Sequence, residues 1–178
     1  AVPGAGLELP LWILGSSLFG AQLAAMLGLP YAFASHFAPA ALMQALELYR
    51  AEFQPSEQLD TPYAMAGFNV FAAESDGEAV YLRSSSQQSF LSLRRGQAGP
   101  LPPPVEGFEE TLSPQEKLVL ADILSCSVAG SAKTVETGIQ DFASRTKADE
   151  LIITSHIYDH TKRLRSFEIA AEVGIAKS

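Results

Sequence analysis

The sequence predicts an α/β protein built on a parallel sheet. Short apolar runs alternate with helical stretches along the chain, and Gly, Pro and Ser clusters punctuate the changes. The first run, LWIL at residues 11–14, is continuously apolar rather than alternating, as a strand buried on both faces should be. A strand–helix–strand order of this kind implies right-handed crossovers.

The elements follow in order. Residues 9–17 (LPLWILGSS) read as a strand that stops at Gly15-Ser16-Ser17. Residues 18–27 (LFGAQLAAML) read as a short Ala- and Leu-rich helix, stopped by Gly28 and again by Pro30. Residues 31–37 (YAFASHF) form a second apolar run, and Pro39 stands where a first helical turn tolerates proline. Residues 40–53 are amphipathic, with Leu42, Leu46, Tyr49 and Phe53 on one face. The third strand covers residues 63–73, where Gly67 predicts a bulge or a close backbone approach. Ser75-Asp76-Gly77 then caps a helix over 78–93 whose polar face is SSSQQS. After the stiff loop GQAGPLPPPVEG, Ser113-Pro114-Gln115-Glu116 carries Ser at the N-cap, Pro at N1 and Glu at N3, a helix start. That helix continues through 117–125, and Ser131 caps another over 133–146. Residues 149–156 (DELIITSH) form the fourth strand and 159–173 a final helix.

Composition narrows the function. At 178 residues, 47% hydrophobic and 18% charged, the chain is expected to be one domain, 1–178, and not disordered. Twelve basic against twenty acidic side chains give a net charge of −8, which repels polyphosphate and argues against nucleic-acid binding. The single cysteine, Cys126, excludes an internal disulfide and a multi-thiolate metal site, and points to a reducing compartment, the cytoplasm. The longest apolar stretch, 18–37, is broken by Gly20, Gln22, Gly28, Pro30 and His36, so no membrane span is expected. The opening AVPGAGLELP lacks a basic region and reads as a linker, not a signal peptide.

Four parallel strands fit either a small open α/β domain or half of a (β/α)₈ barrel. A half-barrel leaves two raw sheet edges, which predicts association through residues 12–17 or 151–156.

Several residues are placed for chemistry. At Gly15-Ser16-Ser17, between a strand end and a helix start, two hydroxyls and free backbone N–H groups converge on an anion; the plainer alternative is that Ser17 caps the helix. Ser35 and His36 fall at the C-terminal end of the second strand, where barrel sites form, although a half-buried histidine bonded to backbone is the more ordinary reading there. Asn69, among apolar neighbours, needs a partner: a ligand or the backbone. His156 and His160 are four apart, but one ends a strand and the other begins a helix, and no third ligand is evident, so no metal is expected. Of the two, His156 is placed to line a pocket and His160 to be structural. Gly130-Ser131-Ala132-Lys133-Thr134 fails as a P-loop tail because Ala132 stands where glycine is needed. Cys126 reads as a buried structural thiol, and Arg94-Arg95 as a solvated helix end before a loop that could act as a lid.

Three long segments carry a family resemblance. PLWILGSSLFGAQLAAMLGLPYAFASHFAP at 10–39, PYAMAGFNVFAAES at 62–75 and ADELIITSHIYDHTKRLRSFEIAAEV at 148–173 resemble, in order, the second half of the bacterial luciferase-like monooxygenases. The resemblance is strongest to flavin-dependent oxidoreductases of unassigned substrate. It implies the C-terminal half, strands 5–8, of a TIM (β/α)₈ barrel, the first four βα units having no counterpart in the chain. It also implies reduced FMN as cofactor, supplied by a separate flavin reductase, with O₂ activated on the flavin and a small organic substrate oxidised. The family's matching turn holds the FMN phosphate, which assigns cofactor binding to Gly15, Ser16 and Ser17, with Ser35 and His36 lining the pocket. Gly20 stands near a family phosphate-contacting threonine and lacks its hydroxyl, which puts that contact in doubt. No general base is assignable, and the substrate contacts fall in the half without counterpart. The full-length protein is thereby expected to be an enzyme and this portion alone inactive. Alternatives are a non-catalytic, flavin-binding or dimerising half-barrel, homo-oligomeric or paired with the other half, and an open α/β domain binding another phosphate ligand.

Overall fold

The computed structural model describes Gly6 and residues 9–36 and 38–175. The chain runs β1 (Ile13–Gly15), α1 (Leu18–Leu27), β2 (Tyr31–Phe33), α2 (Leu42–Glu52), β3 (Ala64–Ala72), α3 (Asp76–Arg94), α4 (Pro114–Ile123), β4 (Ser127–Gly130), α5 (Ala132–Thr146), β5 (Glu150–Thr154) and α6 (His160–Ile175). Short 3₁₀ turns precede α2 and α4 and follow α4.

Local chemistry sets the boundaries. Ser113 closes a full capping box: its hydroxyl accepts from Glu116 N, and the Glu116 carboxylate accepts from Ser113 N at 2.9 Å. Ser75 caps α3 by accepting from Glu78 N. Gly28 ends α1 in the left-handed region, φ 63°, with its N–H on the carbonyls of Ala24 and Ala25.

All strands pair in parallel. β1 pairs with β2 and β2 with β3, in the row Leu14–Ala32–Met65–Glu150 that continues into β5. β3 is the spine. β2 lies along one edge at Ala64–Ala66 and β5 along the other at Met65–Asn69. Ala64, Ala66, Phe68 and Val70 point to one face and bury against α1, α2, α5 and α6, where Phe68 stacks on Phe142 with centroids 4.4 Å apart. Burial of such a phenyl group stabilises by about 1.5–3 kcal/mol. Tyr49 of α2 ties the layers: its hydroxyl donates to Leu29 O at 2.9 Å and accepts from Tyr63 N at 3.1 Å. Arg50 of α2 donates to the last carbonyls of α5, Thr146 O and Lys147 O.

The other face carries Leu14, Met65, Gly67, Asn69, Ile152 and Thr154, and it has no matching helix layer; Leu14 is 73% exposed and Ile152 50%. Only its C-terminal end is covered, where Phe71 packs with Ala79 and Leu82 of α3 and with Ile157. A doubly wound open sheet has helices on both faces. Among the described residues this one has a helix layer on one face and only α3 at the end of the other.

Two expectations change. The expected count of four strands becomes five, because residues 127–130 (SVAG) pair with Asn69–Ala72. β2 stops at Phe33 while β3 runs on to Ala72, and β4 fills the edge left open; a four-residue segment of small side chains shows no periodicity of its own. The second strand, expected over 31–37, ends at Phe33, and Phe37 lies outside the described residues, as does most of the opening linker. The SSSQQS face of α3, polar as expected, is covered at its start: Ser84, Ser85, Ser86 and Gln87 are buried. The Pro-rich loop folds back along them, with Val105 N donating to Ser84 Oγ at 2.8 Å and Gln88 Nε2 to Pro103 O at 3.0 Å.

Candidate functional site at the C-terminal ends of the strands

The β1–α1 corner presents an open helix start. Ser16 and Ser17 are exposed; Ser17 is the extended N-cap of α1, and its hydroxyl makes no capping bond. No acidic side chain lies in the first turn. The corner is held from beneath, where the Tyr31 hydroxyl donates to Ser17 O at 3.2 Å. Burial pushes that phenol up to about 12, so it remains a donor at neutral pH. A Cβ on Gly20 would lie 3.4 Å from Gly15 Cα, so the helix start sits directly against the strand end.

Three other helix starts at this end meet side chains of the protein, while α2 follows its 3₁₀ turn without a side-chain cap. Ser75 serves α3. Asp159 Oδ1 accepts from Lys162 N in α6 at 2.8 Å. At α5, Asp76 Oδ1 accepts from Ser131 N at 2.7 Å and from the Thr134 hydroxyl at 2.9 Å. The GSAKT segment thus holds a carboxylate from α3. These bonds hold the Asp76 carboxyl below the usual carboxylate range. A depressed carboxylate stabilises the fold above its unfolded-state pKa, and the contribution is lost as pH falls through the folded-state value. Asp76→Asn is therefore expected to lower the Tm at pH 7 and to flatten its fall between pH 5 and pH 3, measured by thermal denaturation.

A second cluster stands at the ends of β2, β3 and β5. Ala34 N donates to Gly15 O at 2.9 Å, joining this cluster to the corner. Ser35 is fully buried and donates to Gly67 O at 2.6 Å, so its proton is committed to the β2–β3 seam. The His36 ring lies over Gly67, where a Cβ would overlap Nδ1 and stand 3.1 Å from Cε1. Buried Asn69 donates through Nδ2 to His36 O at 2.8 Å and accepts from the Thr154 hydroxyl. Burial lowers the pKa of His36, and the charge of His156 lowers it further; burial and then Arg163 lower that of His156. Both imidazoles are therefore mainly neutral at pH 7.

The expected site residues thus form two adjoining groups: Gly15, Ser16 and Ser17 at the open corner, Ser35 and His36 at the next strand end. Gly67 is the close approach its position predicted, made by the His36 ring. Asn69 is satisfied by backbone and by Thr154, the residue sequence reasoning missed; a threonine ending an apolar strand is its only signal. His156 lines a cavity with Ser86, Ser89, Phe90, Leu93 and Leu101. His160 meets the Arg163 guanidinium through Nδ1 at 2.8 Å. Cys126 is buried, which pushes its thiol up. Arg95 pairs with Glu116 of α4. Among the described residues no helix is long and apolar enough to cross a membrane.

A parallel sheet with helices on one face and its polar groups gathered at the strand C-termini is the α/β architecture in which barrel sites form. The model of the luciferase-like monooxygenase family matches residues 1–142. The chain is 50% identical over 172 residues to a luciferase-like monooxygenase of Escherichia coli (strain K12), a match that covers 97% of this chain and 51% of that protein. It is 47% identical over 173 residues to the uncharacterized protein YvbT of Bacillus subtilis (strain 168), covering 97% and 52%. Among solved structures, apo-MsnO8 superposes with a TM-score of 0.77 at 29% identity, covering 97% of this chain and 56% of that one. The chain belongs to the luciferase-like monooxygenase family, and it spans about half the length of the curated relatives it matches.

Proposed function

We propose that this chain supplies the C-terminal half of a TIM barrel in an FMN-dependent monooxygenase, and that the β1–α1 corner holds the flavin phosphate. The carrying observation is that corner: an exposed pair of hydroxyls at a helix start with no side-chain cap and no acid in its first turn, whereas α3, α5 and α6 each meet a side chain of the protein at their starts. A phosphate brings the charge that this end of a helix attracts, and the free amides and hydroxyls fit its oxygens. Ser16 and Ser17 would bind it, Gly15 letting the helix start approach the strand. His36, neutral and seated on Gly67, would offer a hydrogen bond to the ring system, with Ser35 positioning it through the β2–β3 seam. When bound, the reduced flavin supplies the electrons that activate O₂, and a separate reductase would supply the flavin. The open sheet face and the single-sided pairing of β1 and β5 support a barrel wall that needs further strands.

Titration of the chain with FMN and with riboflavin, followed by flavin fluorescence, tests the corner. FMN is expected to bind more tightly. Ser17→Ala should weaken FMN about tenfold, the cost of one hydrogen bond to a charged group, and leave riboflavin unchanged. Equal losses for both flavins would remove phosphate from the corner. The exposed Leu14 and Ile152 favour a second reading, a half-barrel that binds flavin or dimerises without turnover. NAD(P)H-coupled O₂ uptake with a flavin reductase present separates the enzyme from that module, and sedimentation reports its self-association.

A further inference from the structure

We propose that the cavity between α3, the loop at Leu101 and the segment after β5 is the substrate pocket of this site, and that it takes a compact, uncharged organic molecule with one hydrogen-bonding oxygen. Its role as a substrate pocket rests on the monooxygenase reading; its ligand chemistry rests on the cavity itself. The cavity measures about 260 Å³ and is lined by Ser86, Ser89, Phe90, Leu93, Leu101 and His156. That is below the roughly 300–1,000 Å³ of pockets for drug-sized ligands, so the occupant is small.

The lining carries no carboxylate, ammonium or guanidinium. The cavity on the other side of α3, about 440 Å³, is ringed by Asp76, Glu106, Glu109 and Glu110, and those along α4 include arginine or lysine with glutamate. A charged ligand laid against Phe90, Leu93 and Leu101 would give up part of its hydration to apolar surface with no counter-ion in the lining. A carbonyl or hydroxyl oxygen loses far less, and two serine hydroxyls and an imidazole are present to meet it. With His156 mainly neutral, its ring offers one donor and one acceptor rather than a fixed charge. Position agrees with the role. His156 follows β5 by two residues and is felt electrostatically by His36 at the end of β2. The cavity therefore stands at the same end of the sheet as the phosphate corner.

The test uses the whole chain without flavin, so its result does not depend on whether FMN binds. Amide and histidine-ring NMR signals are followed during titration with cyclohexanone, cyclohexanecarboxylate and cyclohexylammonium. Cyclohexanone is expected to shift Ser86, Ser89, Phe90, Leu93 and the His156 ring and to saturate in the millimolar range, as a ligand of about seven heavy atoms should. The two charged congeners should bind at least tenfold more weakly. Leu101→Trp, which fills the cavity, should abolish the shifts, and Ser89→Leu on the opposite wall does the same if the first variant fails to fold. Equal binding of a charged congener, shifts scattered away from these residues, or shifts that survive both fillings would overturn the proposal.

Discussion

Replacing Gly28 with alanine is expected to destabilise the chain by about 2–4 kcal/mol, divided between backbone strain and overlap. The residue sits at φ 63°, a conformation that costs an L-residue about 1–2 kcal/mol. A Cβ would also overlap Gln54 O and lie 2.6 Å from Ser56 Cβ. Neither neighbour yields freely, because Gln54 N donates to Ala25 O at 2.9 Å and the Ser56 hydroxyl to Gly28 O at 2.8 Å. One contact thus fixes both the end of α1 and the loop after α2. At roughly 2–4 °C per kcal/mol for a chain this long, thermal denaturation should show a loss of about 4–16 °C. A loss under about 1 °C would mean that residues 54–56 move aside at no cost.

Gly67→Ala is expected to have the largest effect on the candidate site. Its methyl group takes the space of Nδ1, so the His36 ring must leave the sheet. The His36 backbone stays, since Asn69 Nδ2 holds its carbonyl at 2.8 Å. The ring then moves toward water, the burial that depresses its pKa is released, and its titration should rise toward the ordinary histidine value, about 6.5. Ring-proton NMR against pH measures this directly. Overpacking of this kind costs about 1–3 kcal/mol of stability. Loss of the His36 contact should also weaken FMN. An unshifted His36 titration would show that the ring does not rest on Gly67.

Much of the architecture was legible because local signals and global fold agree. The Ser113 capping box, the Gly28 stop and the Ser75 cap are spelled out within a few residues, and each forms as read. β4 was not legible, because its four residues acquire strand form from the vacant edge of β3 and not from their own pattern. The burial of Ser84–Gln87 was hidden for the same reason: a loop twenty residues further on returns to cover a face that looks solvated in isolation. In the site, Gly15-Ser16-Ser17 could be picked out as a strand-to-helix turn rich in hydroxyls. That the Ser17 hydroxyl makes no capping bond emerges only in the fold, as does the Asp76 carboxylate that meets Ser131 N from 55 positions earlier. Gly67 announced a close approach without naming the histidine that makes it.

The pairing of β3 along both edges has a kinetic consequence. Its partners come from residues 31–33, 127–130 and 150–154, so its hydrogen-bond ladders close over separations of 33, 58 and 85 residues. Such non-local topology slows the rate-limiting collapse, and the spine stays incomplete until residues 150–154 have joined it.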